Sequence, residues 1–186
     1  MLNAWYEEAT ARGEAMPDAM TLATATRDGA PSARVVLYKG IKRGGIFFVS
    51  NYQSRKAREL ETNPRAALVM HFPRMERQVR VEGLVERASA AESDDYFASR
   101  PRGSQLGAWA SPQSQPIGSR EELLERTRAA EARFGAGNVS RPEFWGGYLL
   151  MPKSVELWLG QGDRLHDRFR YALGSGGGWS IERLAP

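Results

Sequence analysis

The chain has no cysteine and only two histidines, His71 and His166, among its 186 residues. Without cysteine there is no disulfide framework, no thiolate metal site and no cysteine nucleophile. Two histidines exclude a multi-histidine metal centre within one chain, and no metal is expected. No run approaches the roughly 18 consecutive apolar residues of a membrane span. The amino terminus lacks the apolar stretch of a signal peptide, so the expectation is a cytoplasmic protein with no membrane partner. There is no Walker loop, no dinucleotide glycine fingerprint and no HExxH. A serine–histidine triad would draw on His166, and no GxSxG elbow accompanies it.

The residues present are ordinary for a globular chain, 41% hydrophobic and 26% charged. The length suits one domain, or one compact domain with an appended helical layer. A formal net charge of +4 is too small to establish nucleic-acid binding. Its distribution says more. No acidic residue falls between Asp28 and Glu59, whereas Arg34, Lys39, Lys42, Arg43, Arg55, Lys56 and Arg58 all do. Such a stretch calls for an anion, either a polymer or a small phosphate.

The pattern predicts a short helix over residues 2–13, with Leu2, Trp5 and Ala9 on one face. Strands follow over 21–26 and 33–38 around the Asp28-Gly29 turn, and over 46–50 after Gly44-Gly45. Ser54 caps a helix of about two turns that ends before Asn63-Pro64. Strands over 66–72 and 77–86 come next; Val79, Val81 and Val85 alternate with polar neighbours, so one face is buried. Ser89 and Glu92 stand at capping-box spacing at the start of a helix running to Ser99. Residues 100–118, rich in Pro, Ser, Gln and Gly, read as a long irregular connection, and 121–134 as a charged helix ended by Gly135. Strands over 147–150, 155–159, 168–173 and 179–184 close the chain. The sum is an α+β protein: an antiparallel sheet curled into a barrel, with helices outside.

Three places carry candidate chemistry. In Ser54-Arg55-Lys56, two cations occupy the first turn of a helix, where the macrodipole disfavours them unless an anion is bound. The competing reading lets both side chains splay into water. Arg34 and Lys39 lie five apart on one strand and therefore point to opposite faces, serving two ligands or merely protecting an edge. Gln78 sits on a polar strand face, within reach of a planar heterocycle or of solvent. In Arg164-Leu165-His166-Asp167-Arg168, an extended backbone would put Arg164, His166 and Arg168 on one side. Such a cationic cluster wants an anion or a π-ring, unless Asp167 neutralises it in a surface turn. Trp109, Trp145, Trp158 and Trp179 are core aromatics or stacking platforms.

RVVLYK at 34–39, NYQSRKARELETNPRA at 51–66, ERQVRVEG at 76–83, YFASRPRGSQLGAWASPQS at 96–114, FWGG at 144–147 and RLHDRF at 164–169 occur in one order. Together they resemble the pyridoxine/pyridoxamine 5′-phosphate oxidase family from about Thr21 to Pro186. The resemblance implies an antiparallel split β-barrel of the FMN-binding type with peripheral helices. It implies a single domain over 1–186 in which about 144–186 completes the barrel and the substrate site. It also implies a homodimer with FMN between subunits, and no nucleic-acid partner. The implied reaction converts pyridoxine or pyridoxamine 5′-phosphate to pyridoxal 5′-phosphate, with O2 as electron acceptor and hydrogen peroxide as product. A related FMN-dependent oxidase with another substrate is the alternative, and a basic nucleic-acid-binding barrel a distant one.

Carried over position by position, FMN is met by Arg34, Val35, Val36, Leu37, Tyr38 and Lys39, by Val49 and Ser50, and by Arg55 and Lys56. Gln78, Gln113, Ser114, Trp158 and Arg168 match further cofactor contacts. Lys39, Tyr96, Arg100 and Ser104 match contacts to the substrate phosphate. Arg164, Leu165 and His166 match substrate contacts, with Arg164 and His166 in the catalytic positions against the pyridine ring. Val49 stands where the family often has tyrosine, and Leu159 where it often has glutamine.

Overall fold

The computed structural model describes residues 1–186. It contains one nine-stranded antiparallel sheet and five α-helices. The helices are α1 (Leu2–Ala11), α2 (Arg55–Thr62), α3 (Ala90–Ser99), α4 (Arg102–Ala110) and α5 (Arg120–Phe134). The strands are β1 (Ala19–Ala25), β2 (Pro31–Leu37), β3 (Ile41–Lys42), β4 (Gly45–Asn51), β5 (Arg65–Phe72), β6 (Arg77–Arg87), β7 (Trp145–Leu159), β8 (Asp167–Leu173) and β9 (Trp179–Leu184). No helix is long and apolar enough to cross a membrane.

The strand order β2-β1-β5-β6-β7-β4-β3 curls on itself. Just past the end of β2, Lys39 N–H donates to the Phe47 carbonyl and Phe47 N–H to the Gly40 carbonyl, both at 2.9 Å, so the far strands of the path meet. Met20, Leu22, Phe48, Leu68, Met70, Phe72, Val79, Val81 and Leu150 fill the interior, each almost fully buried. The alternation read from Val79, Val81 and Val85 is the inward face of β6. A second apolar cluster, Phe97, Leu106, Ala130, Val139 and Trp145, packs α3, α4 and α5 onto the start of β7.

Trp145–Leu159 is one strand of 15 residues, not two short ones. The first half of β7 pairs with β4 and the second half with β8, while β6 runs along nearly its whole length. Lys153-Ser154 reads as a break because its polarity interrupts the apolar run, yet the ladder continues through it. Residues 102–110, expected to be irregular, form α4. Gly103 and Gly107 lower helix propensity there, but Gln105, Leu106 and Ala110 are buried in the α3–α5 layer, and that packing overrides it. The strand expected over 168–173 is β8, but the extended backbone that would put Arg164, His166 and Arg168 on one side is absent. A 3₁₀ turn at Gly162–Arg164, with Asp163 and Arg164 at φ of 55° and 61°, carries the chain to β8, which begins only at Asp167. Left-handed backbone breaks the two-residue alternation on which that expectation rested.

The β6–β7 ladder shifts register between Glu82 and Gly83. A Cβ on Gly83 would lie 2.0 Å from the Met151 carbonyl oxygen, a backbone atom that cannot turn aside. Gly83→Ala should therefore cost about 2–3 kcal/mol of stability. An unchanged midpoint in urea denaturation would contradict this account of the bulge.

Candidate active site

A cleft of about 600 Å³ opens between the end of β2, the middle of β4, the start of α2, the α3–α4 junction and the segment after α4. Arg34, Val35, Val36, Leu37, Lys39, Val49, Ser50, Lys56, Tyr96, Arg100, Ser104, Gln113 and Ser114 line it, joined by Ser99 and Pro101. Most of the residues matched to FMN and to the substrate phosphate thus meet in one place. Lys39 lies beyond the last β2 residue, so the alternation that set it opposite Arg34 stops before reaching it, and both line the same cleft.

One end of the cleft is the amino terminus of α2. Ser54 caps it, accepting from the Ala57 amide at 3.4 Å. Lys56, on the first turn, is buried rather than splayed into water. Its ammonium donates to Ser50 Oγ at 3.0 Å, Ser54 Oγ at 3.2 Å and Gln113 Oε1 at 3.0 Å, all neutral oxygens. Burial, reinforced by the charge of Arg34 and partly opposed by Glu59, pushes its pKa down to about 8. Arg34 and Arg55 are held differently, because both contact the buried Glu59: Arg55 Nε at 2.8 Å and Arg34 Nη2 at 3.3 Å. Burial alone would raise the Glu59 pKa. Hydrogen bonds from Ser32, Thr24 and Arg55, with the charge of Arg34, outweigh it and bring the group down to about 2.

The other end lies at the α3–α4 junction. Arg100 sits over the Trp145 ring at 4.6 Å, and its Nη1 is buried with no hydrogen-bond partner. Burial lowers the pKa of this guanidinium. Tyr96 packs edge-on against Phe47, with ring centroids 5.7 Å apart. Lys39 is tied to Asp18 at 3.0 Å. An unpaired buried N–H is costly.

Not every matched residue lines this cleft. The Tyr38 ring turns into the core against Tyr6, centroids 5.3 Å apart, and its hydroxyl donates to Asn3. Arg55 stands exposed at the α2 start. Gln78, Trp158, Arg164, Leu165, His166 and Arg168 also lie outside it, and Gln78, Trp158, His166 and Arg168 adjoin one another. Trp158 lies between Gln78 and Arg168 in the register of β6, β7 and β8. The His166 ring packs on Trp158 at 4.6 Å, and its Nδ1 accepts the Gln161 amide at 3.2 Å. In the neutral ring that bond leaves the proton on Nε2. Arg168 is gripped by the buried Glu156 at 3.0 and 3.2 Å and by the Ala185 carbonyl at 3.0 Å.

Sequence reading missed Glu59, Thr24, Ser32 and Glu156. Glu59 is detectable as the i+4 partner of Arg55, and Glu156 as the one acid in the apolar run Val155–Leu159. Thr24 and Ser32 are cross-strand partners, visible only once the β1–β2 register is known.

Lys56 carries a stability signature. An unfolded lysine titrates near 10.4, so between about pH 8 and 10.5 the unfolded chain holds a proton that the native chain has released. Stability of the ligand-free protein therefore rises with pH across that window. Relative to Lys56→Met, the wild type should gain about 3 kcal/mol from neutral pH to the top of the window in denaturant titrations. A constant difference would show that Lys56 is not desolvated. For Glu59 the sign is opposite: its contribution is present above about pH 4.5 and is lost as pH falls towards 2.

Two family models match the chain. One, described as pyridoxamine 5′-phosphate oxidase, matches residues 7–133; the other, described as the C-terminal dimerisation region of pyridoxine 5′-phosphate oxidase, matches residues 145–186. A pyridoxine/pyridoxamine 5′-phosphate oxidase of Rubrobacter xylanophilus is 56% identical over 182 residues, covering 98% of this chain and 83% of the relative. One of Bordetella pertussis is 53% identical, covering 98% of this chain and 86% of its own length. Among solved structures, PhzG of Burkholderia lata, in complex with tetrahydrophenazine-1-carboxylic acid, superposes with a TM-score of 0.93 at 31% identity, covering 100% of this chain and 90% of that one. An FMN-binding protein of Nostoc punctiforme, TM-score 0.79 at 18% identity with 99% and 95% covered, shares the fold. On these matches, the chain belongs to the pyridoxine/pyridoxamine 5′-phosphate oxidase family.

Proposed function

We propose that the protein oxidises pyridoxine 5′-phosphate or pyridoxamine 5′-phosphate to pyridoxal 5′-phosphate, with O2 as electron acceptor and hydrogen peroxide as product. As a member of its family it is an FMN-dependent oxidoreductase. The observation that carries the substrate reading is the pair of cationic ends in one cleft. Lys56 with the α2 amino terminus forms one, and Arg100, with its orphaned Nη1, forms the other. A phosphorylated cofactor and a phosphorylated substrate need two such ends.

The residues fit FMN on their own chemistry. Lys56 is a desolvated cation bonded only to neutral oxygens, so a phosphate near it recovers Coulomb energy in a low-dielectric setting. Arg34, Arg55, Ser50 and the free amides of α2 complete the donor set. When bound, FMN supplies two-electron redox chemistry. The chain supplies position. Arg100, Lys39, Tyr96 and Ser104 clamp the substrate phosphate and so fix the pyridine ring. His166, held on Trp158 with Nδ1 bonded to the Gln161 amide, and Arg164 would lie against that ring and stabilise charge as C4′ is oxidised. The amine substrate also consumes water and releases ammonia.

Arg164 and His166 do not line the cleft of their own chain, and the dimerisation model covers both. Each site is therefore assembled from two protomers: the cleft of one and the 158–168 group of its partner. Val35 on the cleft rim, and Leu165 and Ile181 on the second group's side, leave apolar surface exposed for that contact. The likeness to PhzG favours a second reading, an oxidase of the same barrel acting on a carboxylated ring, since Arg100 would also receive a carboxylate.

Turnover of pyridoxine 5′-phosphate, followed as pyridoxal 5′-phosphate and hydrogen peroxide formed together, tests the reaction; turnover of a phenazine precursor alone would favour the second reading. Lys56→Met and His166→Ala should each be nearly inactive. If the subunits share sites, mixing and re-forming dimers restores about a quarter of wild-type activity, because half the dimers then carry one intact site. No recovery would place both groups in one protomer's site.

A further inference from the structure

Glu59 is a carboxylate where an anion site should have none. It sits one turn into α2, its side chain only 5% exposed, beside the cations read above as the phosphate end of the cleft. A negative charge there repels a phosphate, so its presence needs a reason of its own. The contacts give one. Oε2 accepts from Thr24 Oγ1 at 2.5 Å, Ser32 Oγ at 2.6 Å and Arg34 Nη2 at 3.3 Å, while Oε1 accepts from Arg55 Nε at 2.8 Å. Arg34 also donates to Thr24 Oγ1 at 2.6 Å, to the Leu22 carbonyl at 3.2 Å and to Ser32. One carboxylate therefore fastens α2 to the β1–β2 hairpin and grips one arginine from each.

We propose that Glu59 is the positioning residue of the phosphate end: it aims Arg34 and Arg55 and leaves Lys56 as the uncompensated cation that the anion neutralises. Glu59 touches neither cofactor nor substrate; it acts through the two guanidinium groups. A glutamine in its place keeps the volume but presents an N–H to one of the four donors. Both arginines then lose a charged anchor and regain rotamer freedom. The inference rests on the reading that the FMN phosphate binds at the start of α2.

The test is the affinity of the ligand-free protein for FMN and for riboflavin, which lacks the phosphate, each followed by quenching of flavin fluorescence. Glu59→Gln should weaken FMN by about tenfold or more, the lower end of what losing an orienting partner costs at metal sites, and leave riboflavin affinity unchanged. Arg55→Gln should cost less in the Glu59→Gln background than in the wild type, because the two act as one unit. If Glu59→Gln does not fold, Glu59→Asp takes its place: the charge stays but recedes from Arg55, and a smaller loss confined to FMN is expected. FMN binding that is unchanged or tighter would overturn the proposal and make Glu59 a counter-charge only. Equal losses for both flavins would also overturn it, by showing a purely structural role. A wild type that binds riboflavin as tightly as FMN would instead remove the underlying phosphate reading, and the proposal with it.

Discussion

The buried ammonium of Lys56 is the constraint around which the cleft is organised. Three neutral oxygens satisfy its hydrogen bonds but not its charge, and burial holds its pKa near 8. Each oxygen comes from a different element: Ser50 from β4, Ser54 from the α2 cap, Gln113 from the segment after α4. The barrel wall, the helix start and the outer helical layer thus converge on one cation. Their convergence makes sense if an anion completes the set. Arg34 and Arg55, with Glu59 between them, keep a second ring of positive charge close by without adding another unpaired group.

The long strand β7 explains how two chemically different groups arise in one small chain. Its first half, paired with β4, backs the cleft, where Trp145 supports Arg100. Its second half, paired with β8, displays Trp158 between Gln78 and Arg168. The turn that follows places His166 on Trp158 through left-handed residues that ordinary strand geometry would not provide. Buried carboxylates hold the arginines of both groups, Glu59 in the first and Glu156 in the second. This recurrence is a physical device: a guanidinium with a fixed anchor loses less freedom when it meets a ligand.

Much of this was legible in the order of residues. The acid-free stretch from Asp28 to Glu59 and the two cations after Ser54 marked the segment whose Arg34, Lys39 and Lys56 line the cleft. The Ser89–Glu92 capping box, the alternation of Val79, Val81 and Val85, and the glycine turns placed most elements. What escaped depended on tertiary contact. Helix α4 contains two glycines and forms because Leu106 and Ala110 find a buried layer. Arg34 and Lys39 share a cleft because β2 ends between them, and a strand's end is set by its partners rather than by its own composition. The motif at 164–169 was seen, but its turn was not, since positive φ at Asp163 and Arg164 has no strong local signal without glycine.

The central claim is that this cleft brings a phosphorylated pyridine to a flavin. It is tested most directly by the visible spectrum of the FMN-loaded protein under anaerobic conditions, recorded while pyridoxine 5′-phosphate is added. The account predicts bleaching of the oxidised flavin band in proportion to substrate, and recovery of the band when air is admitted. A band that persists with saturating pyridoxine 5′-phosphate and pyridoxamine 5′-phosphate would contradict it.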